Sequence, residues 1–133
     1  MEYGLVKTNI GWCGVICSDR GVSKVIIGVG SRKRAMAITL KKYSASNLLL
    51  KQSRSGFVSR ILIKIKRYCS GANVDFTSFK LDTAHLSCFD KEVLKTVKAL
   101  PYGMTMSYQD VAKKIGSTKA CRAVGRTLAR NPF

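Results

Sequence analysis

Short apolar and β-branched runs, broken by turn residues, fill the first thirty positions. Residues 12–17 and 22–29 are two such runs, and Ser18-Asp19-Arg20-Gly21 lies between them. This pattern predicts a β-hairpin whose second strand is closed by Gly28 and Gly30. Ser31 is placed to cap a helix over residues 32–43. Residues 44–56 mix Ser, Lys and Leu without a period and predict a loop. The period turns helical over 57–68. There Phe57, Ile61, Ile65 and Tyr68, with Val58 and Leu62, form one apolar stripe opposite Arg60, Lys64 and Arg67. Ser70-Gly71 ends that helix, and residues 73–85 read as an extended or irregular link.

The second half has sharper punctuation. Ser87 with Asp90 three residues on is a capping box, and Phe89, Val93, Leu94, Val97 and Leu100 follow at helical spacing until Pro101. A second box, Ser107 with Asp110, opens a helix over 108–115, and Gly116 stands in the usual C-terminal position. Ser117 or Thr118 is expected to cap a third helix running to Ala129, with Asn131-Pro132 as its stop. Two short helices around a glycine-containing turn make a helix-turn-helix. The expectation is a small α/β half over residues 1–75, a β-hairpin or sheet with helices, joined to an all-helical half over 76–133.

Charge narrows the partner. The 133 residues are 46% apolar, enough for a core, yet 24 Lys and Arg face 7 Asp and Glu for a net +17. Residues 1–75 hold 14 basic and 3 acidic side chains, and residues 76–133 hold 10 and 4. The surplus therefore belongs to the folded body and not to a tail. Nucleic acid is the first partner such a surface implies and an anionic membrane the second; a merely soluble basic protein is the plain alternative. The start is not a signal peptide, and no apolar run is long enough to span a bilayer. Five cysteines (Cys13, Cys17, Cys69, Cys88, Cys121) without a disulfide rhythm point to a reducing, intracellular compartment.

Specific residues go further. Leu100-Pro101-Tyr102-Gly103, Thr105, Ser107-Tyr108, Ala112, Ile115-Gly116, Arg122-Ala123-Val124-Gly125 and Asn131-Pro132 resemble the alkylguanine-DNA alkyltransferase family, without gaps from Phe89 to Phe133. In the first half, the hairpin, Ile65-Lys66-Arg67-Tyr68-Cys69-Ser70-Gly71, Phe76, Leu81 and Asp82 fit more loosely. The resemblance implies a winged-helix-like second half whose motif enters the minor groove. Small side chains are needed there, and Ala120, Ala123 and Gly125, with the small Cys121, would supply them; their plain reading is close helix packing. Arg122 matches an arginine finger that replaces the extruded guanine in the base stack. Alone, it reads as a phosphate contact or a solvated helix face. Tyr108 matches the tyrosine that crowds the target phosphate, and otherwise packs at a helix start. Gln109 and Lys119 are expected on the DNA backbone, where contacts position without reading sequence. Asn131 matches an asparagine that braces the turn towards the reactive cysteine, and otherwise is only a C-cap.

One departure matters. In the family, Asn-Pro is soon followed by Pro-Cys-His-Arg, whose cysteine attacks the alkyl carbon on guanine oxygen-6 and whose histidine helps form the thiolate. Residues 1–133 contain no such motif. The acceptor is thus expected beyond Phe133, and none of the five cysteines is expected to replace it. Cys13, Cys17 and the lone His85 do not make a zinc set. What the resemblance implies is DNA repair by stoichiometric alkyl transfer without cofactor or metal. This span would retain DNA binding and base flipping but not transfer. The expected partner is double-stranded DNA containing alkylated guanine, with no membrane, for a monomer in the cytoplasm, or the nucleus in a eukaryote. The rivals are a non-enzymatic lesion sensor or regulator, and a peripheral membrane binder.

Overall fold

A computed structural model describes residues 1–41, 50–53 and 56–133. The chain divides into two compact units, Met1–Asp82 together with Phe133, and Thr83–Pro132.

In the first unit, β1 (Glu2–Thr8), β2 (Gly11–Ser18) and β3 (Gly21–Val29) pair antiparallel in sequence, and β4 (Lys51–Gln52) lies parallel to β1. The strand order is β3-β2-β1-β4. The expected hairpin is β2–β3. Strand β4 corrects the loop expected over 44–56. It is held by backbone bonds, Lys51 N–H to the Met1 carbonyl at 3.1 Å and Ser53 N–H to the Tyr3 carbonyl at 2.9 Å. Both of its side chains are exposed, so no alternation betrays it. Residues 44–49 and 54–55 of that expected loop lie outside the described residues, as do residues 42–43 at the end of the expected helix. Within them α1 spans Arg32–Lys41, and its Arg34 N–H donates to the Ser31 hydroxyl at 3.2 Å.

Strand β2 is buried on both faces. Cys13, Val15 and Cys17 pack with Val58, Ile61 and Ile65 of α2 (Gly56–Cys69), while Ile16 packs with Tyr3, Leu5 and Leu50. Tyr68, expected in the α2 stripe, is instead 48% exposed and stacks edge-on against Phe76, with ring centroids 5.6 Å apart. Lys64, expected on the polar face, donates to the Asp75 carbonyl at 2.6 Å and lies over the Phe79 ring.

Residues 76–82, grouped by sequence with the second half, pack in the first unit. Phe76, Phe79 and Leu81 join its core, where their apolar surface finds cover. Val22 N–H donates to the Lys80 carbonyl at 2.9 Å, and Asp82 N–H to the Val22 carbonyl at 2.7 Å. Asp82 is buried and accepts from the Ser18 hydroxyl at 2.7 Å and from Arg20 Nε at 3.1 Å. At Gly21 (φ 136°) a Cβ would sit 2.4 Å from the Lys80 carbonyl oxygen, so only glycine turns the hairpin there.

The second unit holds α3 (Cys88–Lys98), α4 (Tyr108–Lys114) and α5 (Cys121–Ala129). They close over Val93, Val111, Ala112 and Val124, flanked by Phe89, Val97, Ile115 and Leu128. Each fully buried valine contributes roughly 1.5–3 kcal/mol of apolar burial. Among the described residues, no helix is long and apolar enough to cross a membrane.

Candidate nucleic-acid interface

The helix-turn-helix is built by its caps. The Ser107 hydroxyl accepts from Asp110 N–H at 3.1 Å, and the Asp110 carboxylate accepts from Ser107 N–H at 3.2 Å. The Ser107 hydroxyl also donates to Asp110 Oδ2 at 2.5 Å, and this bond first, then the one from Ser107 N–H, holds the Asp110 carboxyl below its ordinary range. At the far end, Gly116 N–H donates to the Lys113 carbonyl and Ser117 N–H to the Ala112 carbonyl, a Schellman closure with Gly116 at φ 71°. Neither Ser117 nor Thr118 caps α5. The chain makes one more turn, with Ala120 N–H donating to the Ser117 carbonyl at 2.8 Å, and α5 starts at Cys121 with Ala120 as a cap that makes no side-chain bond.

The orientation of α5 has a polar fixing point. Thr127, 5% exposed, donates its hydroxyl to Asp90 Oδ1 at 2.5 Å, while the Ser87 hydroxyl donates to Asp90 Oδ2 at 2.7 Å. Those two bonds, Thr127 first, lower the Asp90 pKa. Position 127 thus joins α5 to the first turn of α3, a link that sequence spacing does not reveal.

The expected site residues distribute as follows. Tyr108 is the first residue of α4 and 51% exposed. Its ring lies on Gly125 of α5, where a Cβ would stand 3.2 Å from ring carbon Cε2. The smallness of Gly125 therefore has a neighbour within the protein. Gln109 Nε2 donates to the Thr118 carbonyl at 2.9 Å, bridging α4 to the turn before α5. Lys119 in that turn and Arg122 on α5 are exposed, and Ala120 and Ala123 are half-buried. Asn131 N–H donates to the Leu128 carbonyl at 3.2 Å just past α5. Arg126, which sequence reading passed over, is exposed one turn after Arg122. Helical spacing of four was the signal that could have found it. Tyr108 thus rests on Gly125, three residues along α5 from Arg122.

The cysteines are scattered. Cys13 and Cys17 are buried, Cys69 and Cys121 half-buried, and Cys88 exposed. Burial, and then Glu2, push the Cys17 thiol up to about 11; burial and then Cys13 raise Cys69. A raised pKa means less thiolate and a poorer nucleophile. Among the described residues, no three His, Cys, Asp or Glu side chains gather as metal ligands do.

The family model described as 6-O-methylguanine DNA methyltransferase, DNA binding domain, matches residues 88–133. A probable methylated-DNA–protein-cysteine methyltransferase of Acanthamoeba polyphaga mimivirus is 32% identical over 133 residues, all of this chain and 75% of the relative. This chain belongs to the methylated-DNA–protein-cysteine methyltransferase family. The methyltransferase of Methanothermobacter thermautotrophicus is 30% identical over 120 residues, 90% of this chain but 59% of that one, so the chain spans less than two thirds of it. In fold, it resembles the crystal structure of Mycobacterium tuberculosis OGT in complex with DNA, with a TM-score of 0.73 at 23% identity over 99% of this chain and 72% of the other. It also resembles the O6-methylguanine-DNA methyltransferase of Pyrococcus kodakaraensis, with a TM-score of 0.68 at 26% identity over 98% and 79%. An N-terminal sheet with a helical second unit is the architecture shared with these methyltransferases, and the second unit carries the family's DNA-binding domain.

Proposed function

We propose that this chain supplies DNA binding and base extrusion for direct repair of duplex DNA containing O6-alkylguanine, acting as a monomer in the cytoplasm or, in a eukaryote, the nucleus. The observation that carries the reading is the seat of Tyr108 on Gly125, three residues along α5 from the exposed Arg122. A long cation there can enter a base stack and bond to the orphaned partner base, offsetting part of the few kcal/mol that extrusion costs. The half-buried Ala120 and Ala123, and Gly125, keep α5 slim enough for a narrow groove. Lys119 supplies a phosphate contact, and the uncapped start of α5 leaves backbone N–H groups for another. Gln109 acts within the motif by fixing the turn that carries Lys119, and Asn131 steadies the exit of α5.

Two substitutions test the division of labour. Arg122→Ala should reduce extrusion of a guanine beside a fluorescent base more than it reduces binding, and Lys119→Ala should do the reverse. Equal proportional losses in both assays would remove Arg122 from the finger role.

Transfer itself needs a thiolate in line with the alkyl carbon. None of the five cysteines within residues 1–133 lies in a Pro-Cys-His-Arg context, and Cys17 and Cys69 are held as thiols. This span is therefore proposed to take up no alkyl group by itself. Incubation with duplex labelled on the O6-methyl, followed by peptide mapping, tests the proposal of inactivity. Stoichiometric label on any of the five cysteines would overturn it.

A further inference from the structure

Most of the positive charge lies outside the helix-turn-helix unit. Residues 1–82 carry 15 basic and 4 acidic side chains, and residues 83–132 carry 9 and 3. The unit that carries the family's DNA-binding domain therefore holds about half the surplus of its neighbour, and a motif confined to the second unit leaves that larger surplus without a partner.

The densest part of it is the first turn of α1, where Arg32, Lys33 and Arg34 are consecutive and all exposed. That turn holds no acidic residue. Among the described residues none of the three has an ion-pair partner; the ion pair found, Arg20 with Asp82, is elsewhere. Three cations at the positive end of a helix dipole oppose the dipole. Its buried residues are Ala35 and Thr39, and Thr39 spends its hydroxyl on the Ala35 carbonyl at 2.8 Å, so the packing of α1 makes no use of its basic first turn. Folding stability does not account for this arrangement; a polyanion that neutralises the three side chains does. The outward side of α1 offers Ala37 and Leu40, with Leu40 only 37% exposed, too little apolar surface to insert into a bilayer. Strand pairing, turn chemistry and the sheet core leave these three cations unused.

We infer that Arg32, Lys33 and Arg34 of α1 form a second contact for the phosphate backbone of duplex DNA, separate from the helix-turn-helix and indifferent to base sequence. The inference rests on the reading of this chain as a duplex binder. Phosphates along a duplex are evenly spaced and strongly charged, so a short run of long, mobile cations engages them without a shaped pocket.

The test replaces the three together, Arg32→Gln, Lys33→Gln and Arg34→Gln, in the full chain. Binding to a fluorescent duplex is followed by anisotropy between 50 and 200 mM salt. A control triple, Arg60→Gln, Lys66→Gln and Arg67→Gln, removes the same charge from α2. Each lost phosphate contact reduces the slope of log affinity against log salt by about 0.9, so the α1 variant should become shallower by about 2–3 and the α2 variant by less than about 1. Equal changes in the two variants, or none in either, would overturn the proposal, because net charge and not a local contact would then govern binding. Removing cations from a helix start does not weaken the helix. If the triple nevertheless unfolds, the three single substitutions, each expected to reduce the slope by about 0.9, decide the matter in its place. Vesicles with and without phosphatidylserine form the second arm. Retention on the anionic vesicles that exceeds retention on duplex and is lost in the α1 variant would assign the cluster to membrane. Should Lys119→Ala with Arg122→Ala leave binding intact while the α1 triple lowers the slope, the helix-turn-helix reading falls and this one stands.

Discussion

Asp90 stands between two hydroxyls, and its carboxylate accepts from both. The Thr127 partner is buried, so its bond is shielded from water on that side and joins α5 to α3. Thr127→Val keeps the shape and removes the donor; it should cost about 1.5–3 kcal/mol in urea unfolding, the range for a hydrogen bond to a charged group. The pH dependence follows from the direction of the shift. Because Asp90 is held below its ordinary value in the folded state, its contribution is complete above the unfolded pKa of about 4 and is lost as pH falls through the lower folded value. Unfolding midpoints measured from pH 6 down to pH 2 should therefore fall less steeply below about pH 4 in Asp90→Asn than in the parent. An unchanged acid limb would show that the carboxylate is not held by these bonds. At this scale the sequence was half legible. Tyr108, Arg122 and Gly125 stand out by type and spacing, but nothing in the chain says that the tyrosine ring rests on the glycine. Nor does it say that Gln109 faces its own turn, because side-chain partners across a turn depend on a backbone path that residue types do not encode.

Among the elements, those marked by local chemistry were the readable ones. Both serine caps and the glycine stop of α4 lie where composition puts them, since each is decided within four residues. The start of α5 was not readable. Ser117 and Thr118 have capping side chains, yet the backbone spends them on an extra turn and begins the helix at Cys121. Strand β4 was invisible for a different reason, being two residues paired only through backbone to a strand nearly fifty positions earlier. This contrast is measurable. Ser107→Ala should cost about 1 kcal/mol, because a seven-residue helix has little else to satisfy its first N–H groups. Thr118→Ala should stay within about 0.5 kcal/mol, since only its backbone carbonyl is engaged. Equal losses in denaturant midpoint would return the cap of α5 to Thr118.

Taken whole, the protein is a polycation whose charge is spread over both units, and affinity for duplex DNA should depend steeply on salt. Each phosphate neutralised contributes a slope of about −0.9 in log affinity against log salt. A chain that binds through its net +17 should weaken at least tenfold between 50 and 200 mM salt, whatever the base sequence. Affinity flat across that range, read by anisotropy on two unrelated duplexes, would count against electrostatic binding. Charge of this kind is plain in any composition, whereas the division after Asp82 is not, because Phe76 and Phe79 choose their core by packing. The tie between the hairpin turn and residues 80–82 also bears on how the molecule is made. Ser18, Arg20 and Val22 receive their partners from Lys80 and Asp82, some sixty positions later. During translation the sheet emerges long before the segment that completes it, and closing so large a loop is the slow, entropically costly step. A nascent chain halted short of residue 82 would keep the turn frayed and Arg20 unneutralised. Completion of the hairpin turn thus waits on residues 80–82.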